Sequence, residues 1–265
     1  MFALPHWYEV LDTLCFTAFF VLILLRFWPS LRARWARPGA TPAFFVALGL
    51  MALFVIAEDV LEGNASEFVP VVDSLAREWM RGVAAQPGIR SAAMTVSECT
   101  GFGLAIIIAV ATFWLAGTRR VRDGAFFAAG TIGAWALGGL LKVTFAVPRP
   151  GSLDRYGFPS GHTLVTLVAA GLMIYILTRS VSGHARASWY ALAVALSLIS
   201  GTSRMVLGVH WLSDVVAAVA AGTVWLGLLA FADRRWSESL GQIAVYPPSI
   251  SRSLPVTNDD ASLAR

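Results

Sequence analysis

Two of the four histidines, one aspartate and three cations, including the only lysine, lie in three short stretches of a largely apolar chain. These stretches are residues 142–150, 159–162 and 203–214. Ionisable side chains beside apolar helices are costly to keep there, so they indicate a functional site by default. The chemistry open to each stretch depends on which residue types it holds and how they are spaced.

The stretch 203–214 contains His210 and Asp214, which are four residues apart. If the chain from His210 is helical, both lie on one face, about 6 Å apart along the axis, and the carboxylate accepts a hydrogen bond from the imidazole. The aspartate would then select the tautomer whose other ring nitrogen is free to attack, and would stabilise the cationic ring formed afterwards. The spacing predicts a nucleophilic histidine, with a structural His–Asp pair as the alternative.

The stretch Pro159-Ser160-Gly161-His162 is typical of the start of a helix, with Ser160 as the cap. The free backbone N–H groups of such an end bind anions. Ser160 and Gly161 are therefore candidate phosphate ligands, and His162 is placed to transfer a proton. A plain helix-entry turn is the alternative for Pro-Ser-Gly alone.

Three cations accompany the histidines: Lys142, which is the only lysine of the chain, Arg149 and Arg204. A lone lysine near a helix end can simply extend its amine to the membrane interface. Three cations, a helix N-terminus and two histidines around one point instead predict a site for a phosphoryl group, in which one histidine attacks and the other protonates the departing oxygen. No carboxylate or cysteine cluster suggests a metal, so the cations are expected to do what Mg²⁺ does elsewhere, and no cofactor is expected.

The elements that must position these residues are membrane helices. The chain has 265 residues, of which 57% are hydrophobic and 14% are charged, against roughly 25% charged in soluble proteins. The fold class is therefore all-α, a polytopic bundle of about seven spanning helices. The predicted spans are Val10–Trp28, Pro42–Ala57, Ala93–Ala116, Gly124–Phe145, Gly161–Thr178, Ala187–Val206 and Trp211–Ala232. The segment Leu61–Arg90 is expected to be an amphipathic helix on the membrane surface.

Arginine-rich loops alternate along the chain with loops of mixed charge, which orients the spans. The first helix is expected to be retained, with the N-terminus outside and the C-terminus in the cytoplasm. All three polar stretches then fall at the outer face. The net charge of +4 is spread over loops beside apolar runs, which argues against a nucleic-acid partner. We expect one membrane domain, residues 1–236, followed by a flexible cytoplasmic tail, residues 237–265.

The patterns K-x6-R-P, P-S-G-H and S-R-x5-H-x3-D, in that order, resemble the type 2 phosphatidic acid phosphatase family, whose wider superfamily includes glucose-6-phosphatase and the vanadium haloperoxidases. The resemblance covers about residues 124–232 and extends back towards Leu61. It implies a six-helix core with one extra N-terminal helix and a metal-free, vanadate-sensitive reaction. It also implies a phosphohistidine on His210, oriented by Asp214, with His162 as the general acid. The implied phosphate ligands are Lys142, Arg149, Ser160, Gly161 and Arg204.

The resemblance does not name a substrate, because members act on undecaprenyl diphosphate, phosphatidylglycerophosphate, phosphatidic acid or lipid A phosphates. A site at the bilayer surface favours a lipid over a soluble sugar phosphate. We expect the substrate to be an isoprenyl diphosphate or a phospholipid monoester, hydrolysed at the periplasmic face of a bacterial inner membrane. Membrane lipids are expected to surround the protein. Four further polar residues either line a head-group pocket or merely pack: Glu98, Thr100, Asp154 and Arg155.

Two other functions are open at this point. A lipid phosphotransferase would pass the phosphate from His210 to another lipid rather than to water. A non-catalytic binder or transporter of anionic lipids would need the cations, but it has no use for both His162 and the His210–Asp214 pair. A haloperoxidase is disfavoured because those relatives are soluble, and the sequence favours no oligomeric state.

Overall fold

The computed structural model describes residues 40–62, 68–179 and 183–245. This part of the chain is almost entirely helical, which confirms the predicted all-α class. Its elements, in chain order, are α1 (Ala40–Glu62), α2 (Phe68–Ala84), α3 (Ile89–Glu98), a π-helical turn (Cys99–Gly103), α4 (Leu104–Gly117), α5 (Val121–Phe145), β1 (Pro148–Arg149), β2 (Ser152–Tyr156), α6 (Gly161–Leu177), α7 (Gly183–Val206) and α8 (Leu212–Val245).

Three helical runs of the described chain are long and apolar enough to cross a membrane: Ile89–Gly117, Val121–Phe145 and Leu212–Ser237. Each exceeds the roughly 20 residues that a bilayer core requires. The apolar helix Gly161–Leu177 is shorter. The predicted span Val10–Trp28 lies outside the described residues, so the expected number of seven spans stays a prediction.

Helix α6 lies at the centre of the main core. Its apolar residues are buried on several faces, as expected for a helix surrounded by others. The glycine in its middle is needed for close packing, since a Cβ at Gly171 would lie 2.6 Å from a methyl carbon of Leu226 on α8. The buried residues of this core come from four helices and are Leu115, Phe127, Ala134, Leu164, Val168, Ala169, Leu172, Ile176, Ala218 and Ala221.

The segment predicted as one surface helix over Leu61–Arg90 is shorter than expected. Helix α2 covers Phe68–Ala84, and the chain then turns at Gly88, whose φ of 80° suits glycine, before α3 starts. The amphipathic character is present, because α2 buries one face and leaves Trp79 exposed on another. The buried face joins α2 to the end of α7 and the start of α8 in a second cluster, Met80, Ala93, Met205, Val206 and Val215.

A small antiparallel hairpin, which the sequence analysis did not predict, connects α5 to α6. Strand β1 pairs with β2, with Pro148 opposite Tyr156. The turn between them contains Gly151 at a φ of 75°, a conformation that favours glycine. The run Pro-Arg-Pro-Gly was the available turn signal.

Charged side chains fix the helix ends at the opposite end of α5 and α6 from the hairpin. Asp123 in the first turn of α5 pairs with Arg120 at 2.8 Å and with Arg179 at 2.7 Å. Arg120 also donates to the carbonyl of Ile176 at 3.2 Å. The start of α5 is thereby tied to the end of α6.

Helix α8 is longer than the predicted span, since it runs to Val245, past Ser237 where we expected the tail to begin. Residues from Phe231 onward form a compact unit of their own. In its described part, the Arg235 guanidinium lies 5.2 Å from the centre of the Phe231 ring. The expected tail beyond residue 245 lies outside the described residues.

Candidate active site

His210 and Asp214 form a buried hydrogen-bonded pair. The distance from His210 Nδ1 to Asp214 Oδ2 is 2.9 Å, and Asp214 is fully buried. The pair spans a helix start rather than lying within a helix, because α8 begins only at Leu212. The carboxylate reaches back over this start, where Oδ2 also accepts the Trp211 backbone N–H at 3.0 Å. The predicted contact is present, although the assumed helix from His210 is wrong.

The surroundings of His210 favour its neutral form. Burial lowers the pKa of His210 below its usual 6.5, while the hydrogen bond and the charge of Asp214 oppose that shift. With Nδ1 directed at a carboxylate, the proton belongs on Nδ1, which leaves Nε2 with a free lone pair. This tautomer is the one that a nucleophilic imidazole requires.

The end of the hairpin packs tightly against this pair. A Cβ at Gly157 would lie 2.9 Å from Asp214 Oδ2 and 3.3 Å from Arg149 Cγ, so a larger residue would displace one of them. Just beyond, the Ser160 N–H donates to the Asp214 carbonyl at 3.0 Å. The sequence analysis missed Gly157, which directly precedes Phe158-Pro-Ser-Gly-His but fits no spacing rule.

Ser160 occupies the N-cap position of α6 with an extended backbone, φ −67° and ψ 111°. The predicted capping role of its side chain is wrong, since its hydroxyl makes no cap hydrogen bond. Instead it accepts from the Thr163 hydroxyl at 3.0 Å, and the side chain is fully buried. The start of α6 therefore has no side-chain cap.

The three candidate cations are held in different ways. Lys142 lies beside the start of α6, because a Cβ at Gly161 would be 3.3 Å from its Nζ. Arg149 donates from Nε to the Tyr156 carbonyl at 3.2 Å, which holds the base of its guanidinium against the hairpin. Arg204 donates from Nη1 to Ser97, and its Nε is buried with no partner in the described part of the chain.

His162 lies over the π-helical turn. A Cβ at Gly101 would be only 2.9 Å from His162 Nε2, so glycine makes room for the ring. Such π-helical turns inside α-helices are frequent at functional sites. Next to Gly101, Thr100 accepts a hydrogen bond from Ser200 on α7 at 3.0 Å. No local pattern in Cys-Thr-Gly-Phe-Gly predicts this turn, and Gly101 was missed.

These groups lie at a cavity of about 650 Å³, and the rest of the wall of this cavity is largely apolar. At its polar end lie five of the eight predicted site residues, Lys142, Arg149, Gly161, His162 and His210. The rest of its wall comes largely from α4 and α5 and includes Leu104, Ile108, Ile132 and Trp135. The cavity therefore offers a charged end for an anion and an apolar length for a hydrocarbon chain.

The other three predicted residues do not line this cavity. Asp214 and Ser160 lie behind its wall and are fully buried, whereas Arg204 is partly buried. Of the head-group candidates, Thr100 lines the cavity, while Glu98 is exposed and lies off its wall. The side chains of the remaining two candidates, Asp154 and Arg155, lie outside the described residues.

Sequence reasoning also missed Asp73 of α2. This buried carboxylate accepts the Ser213 N–H at 2.8 Å on Oδ1 and the Ser213 hydroxyl at 2.5 Å on Oδ2. Burial raises the pKa of Asp73 to about 6, against the lowering effect of those hydrogen bonds. Since Ser213 adjoins Asp214, Asp73 fixes the first turn of α8. The contact joins residues 140 positions apart, which no local spacing reveals.

The residue next to His210 is also fixed from α2. The Arg77 guanidinium lies 4.9 Å from the centre of the Trp211 ring, and Trp211 Nε1 donates to the Pro148 carbonyl at 3.3 Å. Among the residues that the structure describes, no group of three or more His, Cys, Asp or Glu side chains is arranged to hold a metal ion.

A helical bundle with membrane-spanning runs, whose cavity is lined by histidines and cations at one end, defines an integral membrane protein with a candidate centre for anion chemistry. Residues 123–237 match the model of the PAP2 superfamily. This matched region contains all three motifs, which confirms the resemblance that they carry.

Two curated relatives each match part of the chain. Lipid A 1-phosphatase of Porphyromonas gingivalis is 28% identical over 120 residues, which cover 42% of this chain and 26% of the relative. Lipid phosphate phosphatase delta of Arabidopsis thaliana is 29% identical over 110 residues, covering 35% of this chain and 26% of the relative. The matches thus span about a quarter of the length of each relative.

One solved structure shares the fold. The crystal structure of a transmembrane PAP2-type phosphatidylglycerolphosphate phosphatase from Bacillus subtilis superimposes with a TM-score of 0.57 at 20% identity. The match covers 70% of this chain and 96% of that protein. Together with the apolar helical runs, this transmembrane neighbour shows an integral membrane fold.

Proposed function

We propose that the chain is a membrane lipid phosphatase that removes a terminal phosphate through a phosphohistidine on His210. The observation that carries this proposal is the buried His210–Asp214 pair at the charged end of a cavity whose other end is apolar. The two curated relatives, both lipid phosphatases by name, support the same class of reaction.

In the first step, His210 Nε2 attacks the phosphorus atom and the bond from phosphorus to the lipid oxygen breaks. His162 gives its proton to the departing oxygen, so the lipid leaves as an alcohol or, from a diphosphate, as a monophosphate. Asp214 stabilises the cationic ring that carries the new P–N bond. In the second step, water attacks phosphorus, His162 takes a proton from that water, and the P–N bond breaks to release inorganic phosphate and regenerate His210.

The cations hold the charge that develops on the non-bridging oxygens. Lys142 and Arg149 face the cavity, and the buried, unpartnered Nε of Arg204 is available for an oxygen that enters. The backbone at Ser160 and Gly161 adds the start of a helix. These charges do what a divalent metal does in other phosphatases, so we propose a metal-independent reaction.

The apolar part of the cavity argues for a lipid. Leu104 and Ile108 of α4 line it together with Ile132 and Trp135 of α5, which suits an acyl or isoprenyl chain. The substrate is then an isoprenyl diphosphate or a phospholipid monoester such as phosphatidic acid. We place the site at the periplasmic face of a bacterial inner membrane, with the C-terminus in the cytoplasm.

The test is phosphate release by detergent-purified protein across a panel of lipid mono- and diphosphates, with excess chelator present. Wild type should release phosphate and His210→Ala should not, while His184→Ala at the start of α7 serves as the matched control. Trapping of a base-stable, acid-labile phosphoprotein only in variants that keep His210 would support the intermediate. Absence of release from every lipid by the wild type would refute the hydrolase. A fall in release when an acceptor lipid is added would favour phosphate transfer between lipids.

A further inference from the structure

A second pocket, of about 290 Å³, lies between α2, the start of α3 and the end of α7. Three arginines line it: Arg77, Arg81 and Arg90. It shares no lining residue with the cavity of the candidate active site. No Asp or Glu is among the described residues that form its wall, so the pocket carries a concentrated positive charge.

The charges of these arginines are not neutralised by described neighbours. Arg81 and Arg90 have no ion pair or hydrogen bond with any side chain that the structure describes, and Arg77 contacts the Trp211 ring rather than a carboxylate. Burial and the nearby charge of Arg81 both lower the pKa of Arg77. Like charges that repel one another in a concave site attract an anion.

The floor of the pocket makes it a defined site rather than an exposed patch. Met205 and Val206 are buried in the cluster that joins α2 to α7 and α8, so packing fixes the part of the wall that α7 supplies. The wall continues through Leu207 and Gly208, two residues before His210. The planar guanidinium groups of arginines that line such a wall can donate paired hydrogen bonds to phosphate oxygens.

We infer that this pocket binds a phosphate group outside the catalytic centre, carried by the headgroup of an anionic phospholipid or free as inorganic phosphate. Helix α2 exposes Leu75 and Trp79, one helical turn apart, on another face from the pocket. An amphipathic helix with exposed tryptophan suits the membrane interface, where lipid phosphates lie. This binding goes beyond the proposed reaction and needs no hydrolysis.

The test measures binding to the full-length protein in detergent. Neither probe is hydrolysed: phosphatidylglycerol, which has a phosphodiester and no terminal phosphate, and inorganic phosphate. Bound phosphatidylglycerol is counted by native mass spectrometry, with zwitterionic phosphatidylcholine, which has no net charge, as the reference. Phosphate binding is followed by the rise in unfolding temperature. The variant is the double change Arg81→Gln and Arg90→Gln, which alters two exposed side chains. Arg119→Gln, at the far end of α4, is the matched control.

The double glutamine variant should bind phosphatidylglycerol at least about tenfold more weakly than wild type, while Arg119→Gln binds it normally. The corresponding double lysine variant, which keeps both charges, should retain much of the binding. Loss confined to phosphatidylglycerol identifies a lipid headgroup, and loss confined to inorganic phosphate identifies the free anion. Wild-type affinity of the double glutamine variant for both probes would overturn the inference, whatever the enzyme's turnover.

Discussion

Replacing Asp73 by alanine should disable the candidate active site from outside it. The carboxylate accepts two hydrogen bonds from Ser213, which is itself buried. Its loss leaves the Ser213 N–H without an acceptor, a defect of about 1–3 kcal/mol, while the hydroxyl can rotate to find another partner. The free energy of unfolding should therefore fall by about 2 kcal/mol.

The effect on turnover should exceed the effect on folding. Ser213 and Asp214 share the first turn of α8, so a shift of about 1 Å in that turn misplaces the carboxylate against His210 and should lower kcat up to about 10²-fold. Asp73→Asn keeps an acceptor for the N–H and should be milder. Leu172→Ala, in the main core, should lose comparable stability but retain the kcat of its folded fraction.

The assay combines detergent-based unfolding with phosphate release measured per folded molecule. A kcat of Asp73→Ala within twofold of wild type would refute the positioning role. So would a loss of kcat in Leu172→Ala equal to that in Asp73→Ala, because the effect would then follow stability alone.

Three further predictions concern the site itself. Asp214→Asn keeps the shape of the side chain but removes its charge, which interacts with a cationic His210 ring about 4 Å away by about 4 kcal/mol at an effective dielectric of about 20. Single-turnover phosphate release should therefore slow by about 10³-fold. A loss under tenfold would contradict this. Gly101→Ala puts a Cβ 2.9 Å from His162 Nε2 and should reduce kcat at least about tenfold. Gly82→Ala, which has open space around its new Cβ, should leave kcat unchanged. Equal kcat values for the two variants would disprove the steric argument. Because burial lowers the pKa of His210 below 6.5, the fall of kcat/KM that follows protonation of this nucleophile should have its midpoint below pH 6.5; a midpoint above pH 6.5 for that fall would contradict the assignment.

The sequence predicted the central helices well, because long apolar runs bounded by polar turns are an unambiguous signal. The span predicted as Gly161–Thr178 is the helix Gly161–Leu177, and that predicted as Gly124–Phe145 is Val121–Phe145. The motifs also predicted the contact between His210 and Asp214, since a spacing of four residues carries geometric information even across a helix start.

The contacts that support these motifs could not be predicted in the same way. Gly157 and Gly101 matter because of what approaches them from other elements, the Asp214 carboxylate and the His162 ring. No local pattern distinguishes Asp73 within its amphipathic segment, although it binds Ser213. Such contacts depend on tertiary packing, which a single sequence does not encode in any local period.

The assumed role of Ser160 shows why a correct element can carry a wrong detail. Its position before α6 was right, but its hydroxyl accepts from the Thr163 hydroxyl in the first turn of the same helix, while its N–H donates to the Asp214 carbonyl. At this buried helix end, a hydroxyl in the first turn of the same helix takes the place of the backbone N–H that a capping side chain would bind.

The hydrogen bond from the Ser160 N–H to the Asp214 carbonyl has a consequence for how a bilayer acts on this protein. It ties the helix that begins beside His162 to the helix that carries the partner of His210, so the two histidines move together. The opposite wall of the cavity comes from α4 and α5, which also expose Phe113 and Val143 away from it. Changes in bilayer thickness or lateral pressure therefore reach the entrance for the lipid before they reach the reacting atoms. The membrane should set how readily substrate enters, and hence KM, while kcat stays a property of the protein.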